Sequence, residues 1–571
     1  MPDVQKRWVL ADNPDQSTIE EFSKQLNINT ILASLLIKRG ITTFDEAKQY
    51  FRPQLEDLHD PFLMMDMDKA IERIDQAISN NEKILIYGDY DVDGTTAVSL
   101  VYSFLKRQYE FVGYYIPDRH REGYGISTIG IDWAKERNYT LIIALDCGIK
   151  AIDKVDYAKE KGIDFIICDH HLPGEDIPKA EAILNPKRED CEYPYNELSG
   201  CGIGFKLVQA FSIKHNIDFE YLKKYLDLLV VSIASDIVPI TGENRTMAFY
   251  GIQLVNESPR PGIKALIDLS NKKGKLDITD LVFIVGPRIN AAGRMDDAKN
   301  AVKLLITSNF DQAKEACIII NDNNTQRRSV DSDITASALE AIENDSKALN
   351  KKSTVLFNPD WHKGVIGIVA SRLIEKHYRP TIVLTQSNGH ATGSARSVHG
   401  FNIYNAIDEC KDLLINYGGH MYAAGLTMAV ENVEKFKEKF EKVVSKNITD
   451  DLLTPVINID ASITLDSITP KFFRILKQFG PFGPSNMNPI FRSDNVEINK
   501  ENMRVVGKDH LKLSIKQNGS PTFDAIAFGQ GSKIEDIKSG NPVNICYNIK
   551  ENEWNGRITL QLEIKDIQLA S

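Results

Sequence analysis

Several things are scarce in this chain of 571 residues. No apolar stretch is long enough to span a bilayer, which takes about 20 consecutive residues in a helix. The start, Met1-Pro2-Asp3-Val4-Gln5-Lys6-Arg7, lacks the apolar core of a secretory signal. Cysteine is sparse: seven, odd in number, scattered, and never as Cys-x-x-Cys. That argues against a disulfide framework or a thiolate zinc site and points to reduced thiols in the cytoplasm. Cys147 and Cys168 read as small buried packing residues. Positive charge is in deficit, with 68 Lys plus Arg against 79 Asp plus Glu. A surface that coats DNA by charge alone needs the opposite balance, so any nucleic-acid path must be a local basic groove. No serine or cysteine triad stands out, and no internal repeat. The length is too great for one compact core and predicts several domains.

What is present is a crowd of acids. Asp89-Tyr90-Asp91-Val92-Asp93 places three carboxylates within five residues, after the apolar run Ile84-Leu85-Ile86-Tyr87 and before Gly94-Thr95-Thr96. Close like charges raise each other's pKa, and a bound divalent cation relieves them. Oxygen ligands favour Mg²⁺ or Mn²⁺. Later apolar runs end in the same way: Leu141–Leu145 in Asp146, and Phe165–Cys168 in Asp169-His170-His171. A helical stretch from Tyr225 to Ala234 runs into Asp236. Strands alternating with helices predict a parallel α/β sheet, whose ligands bind beyond the carboxyl ends of the strands. One Asp after a strand is ordinarily a helix cap. A triple-Asp loop, an Asp strand end and an Asp-His-His strand end in successive βα units are not explained as caps.

Asp169-His170-His171 with Asp89–Gly94 upstream resembles the DHH phosphoesterase superfamily. Pro287-Arg288-Ile289-Asn290-Ala291-Ala292-Gly293-Arg294-Met295 is similar to a segment typical of the RecJ exonucleases. Trp361–Gly367, Gly393-Ser394-Ala395-Arg396-Ser397 and Gly418-Gly419-His420 are similar to their second domain. The resemblance runs from about residue 80 to the C-terminus. It implies a DHH catalytic domain over 81–309 and a DHH-associated α/β domain over 351–448. An OB-fold barrel that binds nucleic acid follows over 449–571. A helical segment, 1–80, precedes them, and a long solvated helix is expected over 310–350. Short strand-like runs such as Asp460–Leu465, Val543–Ile549 and Arg557–Ile564 fit a small barrel.

Asp89, Asp91, Asp93, Asp146, His170, His171 and Asp236 are too many ligands for one small cation. They suit two Mn²⁺ or Mg²⁺ ions about 4 Å apart. By position in the family motifs, Asp91, Asp93, Asp146, His170 and Asp236 lead, while Asp89 and His171 either ligate or orient ligands, as does Asp169. Asp146, His171 and His420 are the candidate catalytic residues. His420 is expected where a glycine turn enters a helix, facing the metals to stabilise charge in the transition state. Ser394 and Arg396 are expected to bind the 5′ end; as a lone string their segment reads as a surface loop. Arg119 and Tyr124 either bind phosphate and stack a base or are a surface arginine and a core tyrosine. Arg288 and Asn290 either contact the scissile phosphate or brace the structure. Lys471, Phe472, Phe473, Arg474 and Lys477 read as a helix with buried Phe and exposed cations, in preference to a DNA platform. The resemblance implies a cytoplasmic, monomeric 5′-to-3′ exonuclease on single-stranded DNA that releases 5′-mononucleotides in recombination and repair. Single-strand-binding protein and a helicase are the expected partners. The rivals are a DHH enzyme for short oligonucleotides or cyclic dinucleotides, a pyrophosphatase and a non-catalytic DNA scaffold.

Overall fold

The computed structural model describes residues 5–570 except 120, 296, 346–349, 539 and 555. The end of the segment expected as a connecting helix, 346–349, thus lies outside the described residues. Packing divides the chain into two compact units: 17–324 with 474–488, and 1–16 with 325–473 and 489–571.

The first unit is built on five strands that all run parallel. Their order is Val112–Tyr115, Lys83–Gly88, Tyr139–Leu145, Asp164–Cys168, Ala182–Leu184. Ile84–Tyr87, Leu141–Leu145 and Phe165–Cys168 are buried without alternation, as a parallel sheet covered on both faces requires. The strand Lys83–Gly88 has its two successors in the chain on opposite sides, so strand order reverses there. The crevice beyond the carboxyl ends at such a point is where open α/β sheets take ligands. Asp89 and Asp146 both leave the sheet at this crevice. The helix Val92–Gln108 follows directly and is buried over most of its length, since helices Gly200–Lys214 and Leu226–Ser235 pack on it. Towards the N-terminus, the helix Thr30–Ile37 is followed by Gly40 at φ 77°, the stop read from the sequence.

Residues 474–488 come from late in the chain yet pack with the first unit. Buried Arg245 donates to the carbonyls of Phe479, Gly480 and Tyr50, each at 2.9 Å. Ile240 N donates to Pro484 O at 2.8 Å, and Arg39 Nε to Asn486 Oδ1 at 3.0 Å. A buried guanidinium is tolerable only when its donors are taken up in this way.

The second unit holds a five-stranded sheet in the order Asn416–His420, Ala423–Ala429, His390–Arg396, Thr381–Ser387, Thr354–Phe357. Only its last pair is parallel. The helix Phe310–Glu343 leads in, its residues from 325 onward belonging to this unit. The C-terminal strands form a barrel in the order Ala461–Ser462, Phe491–Ile498, Val543–Trp554, Arg557–Leu569, Phe523–Ala527, His510–Lys516, Arg504–Val506. Phe491–Ile498 also pairs with His510–Lys516, which closes the five strands from Phe491–Ile498 round to His510–Lys516 into a barrel. The N-terminal strand Arg7–Leu10 pairs parallel with Val456–Ile459, and Trp8 Nε1 donates to Asp566 Oδ2 at 2.8 Å. The helix Pro470–Lys477 buries Phe472 and Leu476, the packing expected of its basic-aromatic cluster. No helix among the described residues is long and apolar enough to cross a membrane.

Candidate metal centre

Four strand or helix ends converge in the first unit. His170 Nε2 lies 3.2 Å from Asp146 Oδ1, 3.6 Å from Asp236 Oδ2 and 3.8 Å from Asp93 Oδ2. Donor atoms of Asp146, His170 and His171, and those of Asp93, His170 and Asp236, group closely enough for one ion each. Asp91 acts by its charge on Asp146, Asp236, His171 and Asp89. Asp91 caps the helix Val92–Gln108, with Oδ1 accepting from Gly94 N at 3.0 Å. Asp89 Oδ1 accepts from Gly125 N at 3.3 Å.

Local backbone geometry sets these positions. Asp146 has φ 58°, a left-handed conformation that Asp tolerates better than most residues. Gly94 is needed under the triple-Asp loop, because a Cβ there would lie 2.4 Å from Asp89 O. Gly200 is needed too: a Cβ would lie 2.6 Å from Asp146 Cβ. This close approach lets the first turn of the helix Gly200–Lys214 reach Asp93, whose Oδ2 accepts from Gly200 N at 2.6 Å and Oδ1 from Cys201 N at 2.8 Å. Ser232 Oγ donates to the same Oδ1 at 2.6 Å.

Asp169 is not in the cluster but orients it. Its Oδ1 takes His171 Nδ1 at 2.7 Å and His171 N at 3.1 Å, while Oδ2 accepts from Ile149 N at 2.9 Å. His171 Nε2 is left 3.2 Å from the Tyr124 hydroxyl, which donates to Asp146 O at 3.1 Å. Tyr124 therefore touches the centre through its hydroxyl while its side chain stays more than half exposed. Arg119 lies over the Tyr90 ring at 4.9 Å.

The helix Gly286–Met295 carries the Pro287–Met295 motif and lies against the same loops. A Cβ at Gly293 would come within 2.8 Å of Tyr90 O, and one at Gly286 within 2.7 Å of Ser235 Oγ. Within it, Arg288 Nη1 donates to Ile284 O at 2.7 Å, and Asn290 is half-buried.

The electrostatics are those of too many acids. Burial, then the charge of Asp91, raises Asp89 well above the usual carboxylate range. Burial, then Asp93, Asp91 and Asp236, does the same to Asp146. Asp91 is raised by burial and Asp93. Asp236 is pushed up to about 9 by burial and by Asp93 and Asp91, with Lys187 pulling the other way. Burial lowers His170. Burial also opposes charge on His171 and Asp169, but their hydrogen bond wins, raising the histidine and lowering the acid. Asp89 Oδ2, Asp146 Oδ1 and His170 Nδ1 are buried with no hydrogen-bond partner. Buried polar atoms ordinarily have one. Oxygen-rich donors, one or two imidazoles and unpartnered buried acceptors fit Mn²⁺ or Mg²⁺.

The remaining candidates lie in the second unit. Ser394 and Arg396 are on the strand His390–Arg396, not in the loop that their segment alone suggests. Arg396 Nη1 donates to Ser394 Oγ at 3.0 Å and Ala395 O at 2.8 Å. Gly367, in the first turn of the helix Ile366–Lys376, lies so close that a Cβ would be 2.9 Å from Ser394 Oγ and 3.0 Å from Arg396 Nη2. Burial holds the Arg396 guanidinium below its usual range.

His420 is exposed at the end of the strand Asn416–His420. The helix expected after Gly418-Gly419-His420 is absent: the segment pairs with Ala423–Ala429 as one arm of a hairpin. Its small residues serve close strand approach, since a Cβ at Gly419 (φ 149°) would sit 2.3 Å from Ala423 O.

Sequence reasoning missed Ser232, Gly200 and Ser199. The signal was the spacing of Ser232 and Asp236, one helical turn apart on one face.

Comparison with known proteins adds the family. The DHH family N-terminal domain matches residues 83–233, the DHHA1 domain 350–446 and the RecJ OB domain 459–566. The single-stranded-DNA-specific exonuclease RecJ of Bacillus subtilis (strain 168) is 38% identical over 569 residues, 99% of this chain and 71% of that protein. The crystal structure of RecJ in complex with Mn²⁺ from Thermus thermophilus shares the fold, with TM-score 0.84 at 24% identity over 99% of this chain and 80% of that one. A crystal structure of exonuclease RecJ bound to manganese aligns with TM-score 0.60 at 27% identity, over 70% of this chain and 97% of that one. With such identity along almost its entire length, the chain belongs to the RecJ family of single-stranded-DNA-specific exonucleases.

Proposed function

We propose that this protein is a metal-dependent exonuclease that degrades single-stranded DNA from the 5′ end and releases 5′-mononucleotides, in recombination and repair. The observation that carries this reading is the convergence of Asp93, Asp146 and Asp236 on His170 Nε2, with unpartnered acceptors on Asp89 and Asp146. Relatives of known structure bind manganese, and the cofactor here is Mn²⁺ or Mg²⁺, two ions. Asp89, Asp91, Asp93, Asp146, His170, His171 and Asp236 would hold them. When bound, such a pair supplies a nucleophile from water near neutral pH and offsets charge on the leaving oxygen.

The chain's own residues do the rest. Asp146 offers an acceptor to the reacting centre, and Asp169 fixes His171 so that Nε2 faces it. Tyr124 presents an exposed ring to a base while its hydroxyl braces Asp146 and His171. Arg119, Arg288 and Asn290 contact the DNA backbone. Ser394 and Arg396, beside a helix N-terminus, bind the 5′ phosphate through the paired donors of the guanidinium. His420 stabilises transition-state charge from its hairpin. The barrel guides the strand. The protein works in the cytoplasm as a monomer, with single-strand-binding protein and a helicase as partners.

The test is to digest single-stranded DNA labelled at either end with Mn²⁺, alongside an Asp146→Ala protein. Early release of only the 5′ label, as mononucleotide, supports the reading. Activity without metal, equal activity in the mutant, or early loss of the 3′ label sinks it.

A further inference from the structure

Asp93 differs from the other acids of the cluster in having three donors of its own. Two are the backbone N–H groups of Gly200 and Cys201, at 2.6 and 2.8 Å. The third is the hydroxyl of Ser232, which is buried and donates to Oδ1 at 2.6 Å. Ser232 is itself oriented. Its oxygen lies 2.6 Å from Ser199 Oγ, and Ser199 Oγ already accepts from Gly202 N at 3.1 Å. A hydroxyl has one proton to give. Since the proton of Ser232 goes to Asp93, Ser199 must donate to Ser232, so the direction of the chain is fixed from the helix cap to the carboxylate.

This leaves the two oxygens of Asp93 in different states. Oδ1 is engaged by two donors, Cys201 N and Ser232 Oγ, while Oδ2 has the single donor Gly200 N at 2.6 Å and lies 3.8 Å from His170 Nε2. Four residues after Ser232, on the same helix face, comes Asp236, whose Oδ2 is 3.6 Å from the same His170 nitrogen. One helix turn thus delivers a ligand and the group that aims a second ligand.

We infer that Ser232 is a positioning residue for the metal centre. Relayed from the Ser199 cap, its hydroxyl holds Asp93 so that Oδ2 alone is presented to a divalent cation. The inference rests on the metal-dependent reading above. Groups that orient ligands in this way typically contribute about 10- to 100-fold in metal affinity.

The experiment is a calorimetric titration of the metal-free, full-length protein with Mn²⁺, together with its melting temperature before metal is added. If the unsubstituted protein takes up no Mn²⁺, the metal reading fails and this inference with it. With Mn²⁺ bound by the unsubstituted protein, Ser232→Ala should raise the dissociation constant about 10-fold or more. Its metal-free melting temperature should be nearly unchanged, and Ser232→Thr, which keeps a hydroxyl, should recover most of the affinity. Ser199→Ala, which removes the relay and the helix cap but leaves the Ser232 hydroxyl on Asp93, should weaken binding in the same direction by less. A folded Ser232→Ala protein that binds Mn²⁺ as the unsubstituted one does would overturn the inference while leaving the metal reading intact. A Ser232→Thr protein no better than Ser232→Ala would also overturn it, because packing rather than the hydroxyl would then be at work.

Discussion

At the carboxyl ends of the parallel sheet, acids crowd together with acceptors left over. On the strand His390–Arg396, by contrast, the charged group has hydrogen-bond partners from its own strand. Asp89 Oδ2 and Asp146 Oδ1 are buried with no hydrogen-bond partner, whereas Arg396 Nη1 donates to Ser394 Oγ and Ala395 O. The first region is unfavourable as it stands and is completed by a cation. The second is already stable, and binding an anion exchanges one set of partners for another. Removing one of the crowded acids should therefore be far more damaging than removing the arginine.

The largest effect is expected at Asp146. Asp146→Asn keeps the size but removes the charge that a divalent ion requires, and the single-turnover rate of strand cleavage should fall about 10³-fold or more. Arg396 comes next. Arg396→Ala should raise KM for a 5′-phosphorylated strand roughly 10- to 100-fold, the value of a charge-assisted hydrogen bond or two, and should change a 5′-hydroxyl strand much less. Arg396→Lys should recover only part of this, since an ammonium lacks the planar fork. Steady-state kinetics on the two substrates would show whether the second region reads the terminal phosphate.

A smaller effect is expected at Tyr124, which belongs to the first region. Tyr124→Phe removes the hydroxyl near Asp146 O and His171 Nε2 and should cost under about 10-fold in kcat, in line with one neutral hydrogen bond. Tyr124→Ala also removes the ring, and binding of short strands should weaken further by about 1–3 kcal/mol if that ring stacks a base.

The smallest effect is a pH trend in the metal-free protein. Asp89, Asp91, Asp146 and Asp236 are all raised on folding, Asp236 to about 9. Between the unfolded carboxylate range near 4 and about 9, the folded state holds more protons than the unfolded one. These groups therefore stabilise the fold fully below about pH 4, and that stability is lost progressively as pH rises, the Asp236 share of it through about 9. Melting curves without metal should shift down over this window. Mn²⁺ should flatten the slope, because bound metal replaces the protons.

The acids of the first region were legible because each ends an apolar run, and a strand end followed by Asp is visible in a linear string. Asp89, Asp146 and His170 could be placed together once the runs were read as one parallel sheet. The N–H groups of Gly200 and Cys201 were not legible, and Ser232 carried only its one-turn spacing from Asp236. They reach Asp93 through the packing of two helices, and nothing near Asp93 in sequence announces them. The hairpin at His420 was read as a turn entering a helix because Gly418-Gly419-His420 and Ala423-Ala424-Gly425 have small side chains that carry neither helical nor strand periodicity. The strand Arg7–Leu10 is too short for any period to show, and its partner Val456–Ile459 lies near the other end of the chain. The exchange of residues 474–488 into the first unit depends on Arg245 finding backbone carbonyls, which sequence does not display.

The central claim is that the crowded acids are completed by two divalent ions, and anomalous scattering tests it most directly. Crystals of the protein soaked in Mn²⁺ and measured at the manganese edge should show two peaks among Asp89, Asp91, Asp93, Asp146, His170, His171 and Asp236, with at least one lost in Asp146→Asn. No peak in this cluster, or peaks undiminished in Asp146→Asn, would contradict the account.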